Sequence, residues 1–114
     1  MIGAVARAFP DGHDPLELPR DGDPGPILAA AGFDARMRAA FAVVIVAPLL
    51  ETDLRGTLPG EIATRSRQAG VACHAICAER ELDAFGARIY DLQTITTTSA
   101  AGLRTAASEL AARL

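Results

Sequence analysis

Three stretches of the chain are apolar enough to be strands, and they alternate with segments of helical spacing. The first, FAVVIVAPLL at 41–50, is a continuous apolar run with β-branched residues at its centre. Such a run describes a strand buried on both faces, as in a parallel sheet. Pro48 is expected to end it, because proline cannot donate to a sheet ladder. VACHAICA at 71–78 and RIYDLQTI at 88–95 are the second and third expected strands.

The helices announce themselves by their ends. Pro26 suits a first helical turn and Asp23 is a candidate cap, so a helix is expected through Ile27, Leu28 and Ala31, with Gly32 as its stop. Asp34 is expected to cap a second short helix over 35–40. A third should run from about Gly60 to Ala69 and stop at Gly70. The last has Leu103, Ala107, Leu110 and Leu114 on one face, with Thr96, Thr97, Thr98 and Ser99 as candidate caps. Two polar stretches, 51–60 and 79–87, read as connections, the latter as a loop or short helical turn.

Strands that alternate with helices imply a parallel sheet with crossover connections. The expected fold is therefore α/β: a small Rossmann-like three-layer domain of three or four mainly parallel strands flanked by helices. The chain of 114 residues fits one such domain. Its first 24 residues form an irregular segment, dense in Pro, Gly and Asp from 10 to 26. Residues 2–9 read equally as an edge strand or a helix end.

Composition then removes several function classes. The formal net charge is −3, so there is no clustered cationic surface for nucleic acid. No segment reaches the roughly 20 apolar residues of a membrane span, and no signal peptide is evident. A cytoplasmic, soluble protein is expected. All eleven cationic residues are arginine, which excludes lysine from any phosphate-binding or Schiff-base role. Cys73 and Cys77 are too few for a disulfide scaffold. With His74 they spell C-H-x-x-C, but on a strand the cysteines share one face and the histidine points to the other. A zinc site needs four ligands, so no metal is expected and the cysteines read as core residues.

Candidate chemistry gathers in the first long loop. Glu51, Thr52, Asp53 and Arg55 follow a buried strand and precede a helix, and open α/β sheets bind ligands at the carboxyl ends of their strands. The helix start beyond them offers N–H groups and partial positive charge to an anion. Glu79, Arg80, Glu81 and Asp83 follow the second strand at the same sheet edge and could complete a carboxylate-rich cleft able to hold an acid–base pair. A solvated loop accounts for both groups as well. Tyr90 and Asp91 fall within the expected third strand, one of them buried with a hydrogen bond. His13 reads as a surface histidine.

Several segments resemble the C-terminal part of the bacterial glycerate kinase family. GFDARMRAAFAVVIV at 32–46 is similar to that family's helix and strand before its signature loop. LRGTLPGEIATRSRQAGVACHAI at 54–76 resembles its loop, helix and next strand, and TTSAAGLRTAASELAARL at 97–114 its closing helix. The family signature reads T-G-E-G-R-x-D-x-Q-T-x-x-G-K, and this chain has V-A-P-L-L-E-T-D-L-R-G-T in its place. Leu54, Arg55 and Gly56 match its L-x-G portion, Thr57 stands for the lysine, and Ala47, Pro48 and Leu49 occupy the place of Gly-Glu-Gly. The resemblance implies a kinase-inactive relative that binds a small anionic metabolite. The position of the loops at the strand ends makes Glu51, Asp53 and Arg55 the candidate catalytic residues, and Thr52, Gly56, Thr57, Glu79 and Arg80 the candidate ligand-binding ones. No cofactor is specified. A homo-oligomer is the expected assembly. Two other readings stand beside it: a small isomerase, lyase or cyclase of secondary metabolism using the loop carboxylates, and an interaction module completing a split or oligomeric assembly.

Overall fold

A computed structural model describes residues 14–19 and 22–113. The expectations for 2–9, His13 and Leu114 lie outside the described residues.

The described residues begin with Asp14–Pro19, outside any helix or strand, its leucines inward: Leu16 and Leu18 are buried and Glu17 is exposed. Asp14 anchors this segment on the Arg36 guanidinium, whose Nε donates to it at 2.7 Å. That hydrogen bond holds the Asp14 carboxyl below its ordinary pKa.

Helix α1 (Pro24–Ala31) is capped by Asp23, which accepts from the Gly25 N–H, and it ends at Gly32 in the left-handed conformation. A residue with a Cβ is disfavoured there, and glycine adopts it readily. Gly32 also opens α2 (Phe33–Arg38) directly, without a side-chain cap. This second helix therefore begins one residue before Asp34 rather than after it.

Strand β1 (Ala42–Leu50) runs through Pro48 instead of stopping there. The reason is visible in the register: Ala47 pairs with Cys77 and Leu49 with Glu79, while Pro48 has no partner between them. One missing N–H interrupts the ladder without ending the strand. Helix α3 (Leu58–Gln68) starts two residues before Gly60, capped by Thr57, with Pro59 in its first turn. Strand β2 (Ala72–Arg80) follows, then helix α4 (Ala84–Ile89), strand β3 (Leu92–Thr97), a 3-10 turn (Ala100–Gly102) and helix α5 (Leu103–Arg113).

The third expected strand, 88–95, is displaced. Arg88 and Ile89 close α4, whose cap is Asp83 accepting from the Gly86 N–H. Tyr90 ends that helix, and Asp91 turns the chain with a positive φ of 52° before β3 begins. Neither residue lies in a strand; Asp91 is exposed and Tyr90 half-buried.

The sheet has the order β1-β2-β3 among the described residues, and both pairings are parallel. The alternation of side chains feeds two cores. Val43, Ile45, Ala47, Cys73, Ala75 and Cys77 point to the face covered by α1, α2 and α3, where they meet Leu28, Phe33, Met37 and Ile62. Val44, Val46 and Ile76 point to the other face, against Ala107 and Leu110 of α5. Helix, sheet and helix layers make the expected α/β architecture. Both cysteines are buried in the first core, with His74 on the opposite face bonded to Thr94 at 2.8 Å. Among the described residues no helix is long and apolar enough to cross a membrane.

Candidate functional site

The connection from β1 to α3 is built around one close approach. Leu54 is buried, and Thr57 donates its hydroxyl to the Leu54 carbonyl at 2.7 Å. The same Thr57 oxygen accepts the Gly60 N–H at 3.1 Å, so one side chain closes the loop and caps the helix. Gly60 lies so near that a Cβ on it would sit 2.0 Å from the Leu54 carbonyl oxygen. Only glycine allows the helix to start this tightly against the loop. Gly56 turns the chain just before, with φ of 73°.

Between this loop and the end of β1 opens a cleft of about 390 Å³. Its walls are Pro48 and Leu49 from β1, Leu54 from the loop, Leu58 and Pro59 from the start of α3, and Gly22 from the N-terminal side. It lies at the carboxyl end of a strand, where open α/β sheets place ligands. Its volume falls in the lower part of the usual range for small-molecule sites, roughly 300–1,000 Å³.

Of the expected site residues, Glu51, Gly56 and Thr57 line the cleft. The others do not. Asp53 and Arg55 turn outward and bind each other, Arg55 Nε and a terminal nitrogen donating to Asp53 Oδ2 at 2.9 and 2.7 Å. The Asp53 carboxylate also accepts the Arg55 backbone N–H at 3.0 Å. These bonds, the guanidinium's first, hold the Asp53 carboxyl below its ordinary pKa and raise that of Arg55. Two residues apart on one loop, the pair is a local clamp that competes with any ligand for Arg55. Thr52 is exposed on the same loop. Glu79 and Arg80 pair with Leu49 and Leu50 across the sheet, and the Arg80 guanidinium donates to the Leu82 carbonyl at 2.7 Å. The expected convergence of Glu51, Asp53, Arg55 and Glu79 on one cleft is therefore corrected to Glu51 alone.

That outcome bears on chemistry. An acid–base site pushes a carboxyl upward by burial or a like charge. Among the described residues the carboxyls that depart clearly from their ordinary values, Asp14 and Asp53, both move down, each under an arginine. The thiols shift in the direction opposite to nucleophile activation. Burial pushes Cys73 up to about 11 and raises Cys77, which keeps both protonated near neutrality. No group of three or more His, Cys, Asp or Glu among the described residues is placed to hold a metal ion.

The hydrophobic members of the cleft carry no chemical signal in the sequence. Pro48 and Leu49 read as the end of a strand, and Gly22 as one glycine in an irregular stretch. A strand running past its proline is what brings the first two to the cleft. The chain matches no protein-family model, no curated protein and no solved structure.

Proposed function

We propose that this chain is a small-molecule-binding α/β domain that does not transfer phosphoryl groups, a diverged relative of the C-terminal region of glycerate kinases. The observation that carries the reading is the cleft at the end of β1, open beside the start of α3. A small organic acid would lie along its apolar walls. Its anionic group would meet the first turn of α3, where Leu58 supplies an N–H and the helix a partial positive charge. Arg55, bound to Asp53, would reach such a group only by giving up that pair.

Phosphoryl transfer needs cations and carboxylates around the migrating group. Pro48 and Leu49 line the cleft, at the positions that the resemblance aligns with that machinery, and the chain holds no lysine. The test is a thermal-shift series with carboxylic acids, phosphorylated acids and magnesium ATP, run beside an ADP-release assay with glycerate. A ligand of the folded state raises the melting point by mass action. The expected result is a rise with a carboxylic acid and no ADP. Glycerate-dependent ADP release would refute the kinase-inactive reading, and a flat series across all acids would refute binding.

A second reading, assembly through a contact surface, is supported by Phe85 and Ile89. They lie one turn apart on α4 and are 65% and 47% exposed. A homo-oligomer that buries them is expected to dissociate in the Phe85→Glu variant, measured by light scattering. A monomeric parent chain would exclude this reading.

A further inference from the structure

Glu51 gives the cleft a second polar requirement. It is the one charged side chain among the described residues that line the cleft. The neighbouring walls are apolar: Pro48, Leu49, Leu58 and Pro59. A simple carboxylic acid that entered would bring its negative charge toward a carboxylate with no compensating group of its own. A molecule that also carries a protonated amine resolves the conflict, because ammonium and carboxylate at hydrogen-bond distance form a charge-assisted pair.

Resting on the binding reading above, we infer that the ligand is a small amino acid with an apolar side chain, its ammonium on Glu51. Its carboxylate is the anionic group already assigned to the start of α3, and its side chain lies against Pro48, Leu49 and Pro59. The three ligand parts then match three parts of the cleft: one acidic side chain, one backbone donor and a proline-leucine wall. The pairing selects amino acids over their deamino analogues, since a charged group covered by the ligand and denied a partner costs more than a missing methylene does.

The experiment uses the full chain and matched ligands: each common apolar amino acid, the acid lacking its amine, and the amine lacking its carboxylate. Binding is read by calorimetry on the parent chain and on Glu51→Gln. Glu51 is exposed, so the substitution is expected to leave the fold intact, checked by circular dichroism. The expected result is that removing the amine weakens binding by about tenfold or more. In Glu51→Gln the amino acid should weaken by a similar factor and the deamino acid should not. Deamino acids binding as tightly as amino acids would overturn the inference while leaving the cleft a binding site for acids. Equal weakening of both ligands in Glu51→Gln would overturn it too. Absence of binding by every member of the set would overturn this inference, while the thermal-shift series with the other acids decides the reading beneath it separately.

Discussion

Strands β1 and β3 flank the same middle strand in the same parallel sense, yet they bury their side chains to opposite degrees. Every residue of β1 from Val43 to Ala47 is buried. In β3 only Leu92 is buried and Ile95 half-buried, while Gln93, Thr94, Thr96 and Thr97 are exposed. The difference follows from the helix layers. Helices α3 and α5 pack on β1 and β2 from opposite faces, and β3 is packed by the short α4. A strand covered on both faces must be apolar throughout; a strand at the margin needs only residues that fit an extended, pleated backbone, and threonine supplies that without burial. The hydrophobic pattern is thus a record of which helices cover which strand.

The comparison is broken most forcefully at its centre. Ile45 is 0% exposed, whereas Ile95 is only partly covered. Truncating a buried isoleucine to alanine removes its transfer energy and leaves a cavity, and the cost is about 2–5 kcal/mol. Ile45→Ala is expected to lose stability within that range in urea unfolding, and Ile95→Ala to lose about 1 kcal/mol, since a half-buried site relaxes around the deletion. Equal losses would mean that β3 carries as much of the core as β1 and would undo the contrast.

The same contrast explains how much of the fold is legible in the sequence. β1 is plain because its burial is two-sided, and a short β-branched run such as Val43–Ala47 favours a buried strand. The apolar pattern places β3 four residues too early, at Arg88 instead of Leu92. Arg88, Ile89 and Tyr90 have the composition of a strand, and nothing within them competes with that reading. What decides against it is the Asp83 cap, which starts α4, together with the turn at Asp91. A capping bond of one side chain outweighs the propensity of three residues, as a weak prior allows.

The candidate site is legible to the same degree as its backbone. The position at the carboxyl end of β1 follows from parallel topology, and so do Glu51, Gly56 and Thr57. The side-chain directions do not follow. Asp53 and Arg55 satisfy each other two residues apart, a local bond that a loop forms more readily than a convergent site. Arg80 is taken up by Leu82 in the same way. Local partners are close in sequence and cost little loop entropy, so they win unless the fold removes them.

Cys73 supplies the finer test, because it sits on β2 between the two flanking strands, opposite Val43 on one side and Leu92 on the other. Burial raises its thiol from an ordinary 9.0 to about 11. The folded state therefore keeps the proton to higher pH than the unfolded chain does. Below pH 9 both states hold it and stability is unaffected. Between pH 9 and about 11 the unfolded thiol ionises first, and stability falls as pH rises. The full shift corresponds to about 2–3 kcal/mol. Urea unfolding at pH 8 and again near the top of that window is expected to show this loss in the parent chain, and a smaller one in Cys73→Ala. The subtraction matters, since Cys77 is also raised and contributes in the same direction. If the two chains lose stability in parallel, the Cys73 thiol reaches water while the protein is folded. The covering of β2 beside β3 would then be as thin as that of β3 itself, and the boundary between the buried and the marginal strand would move one strand inward.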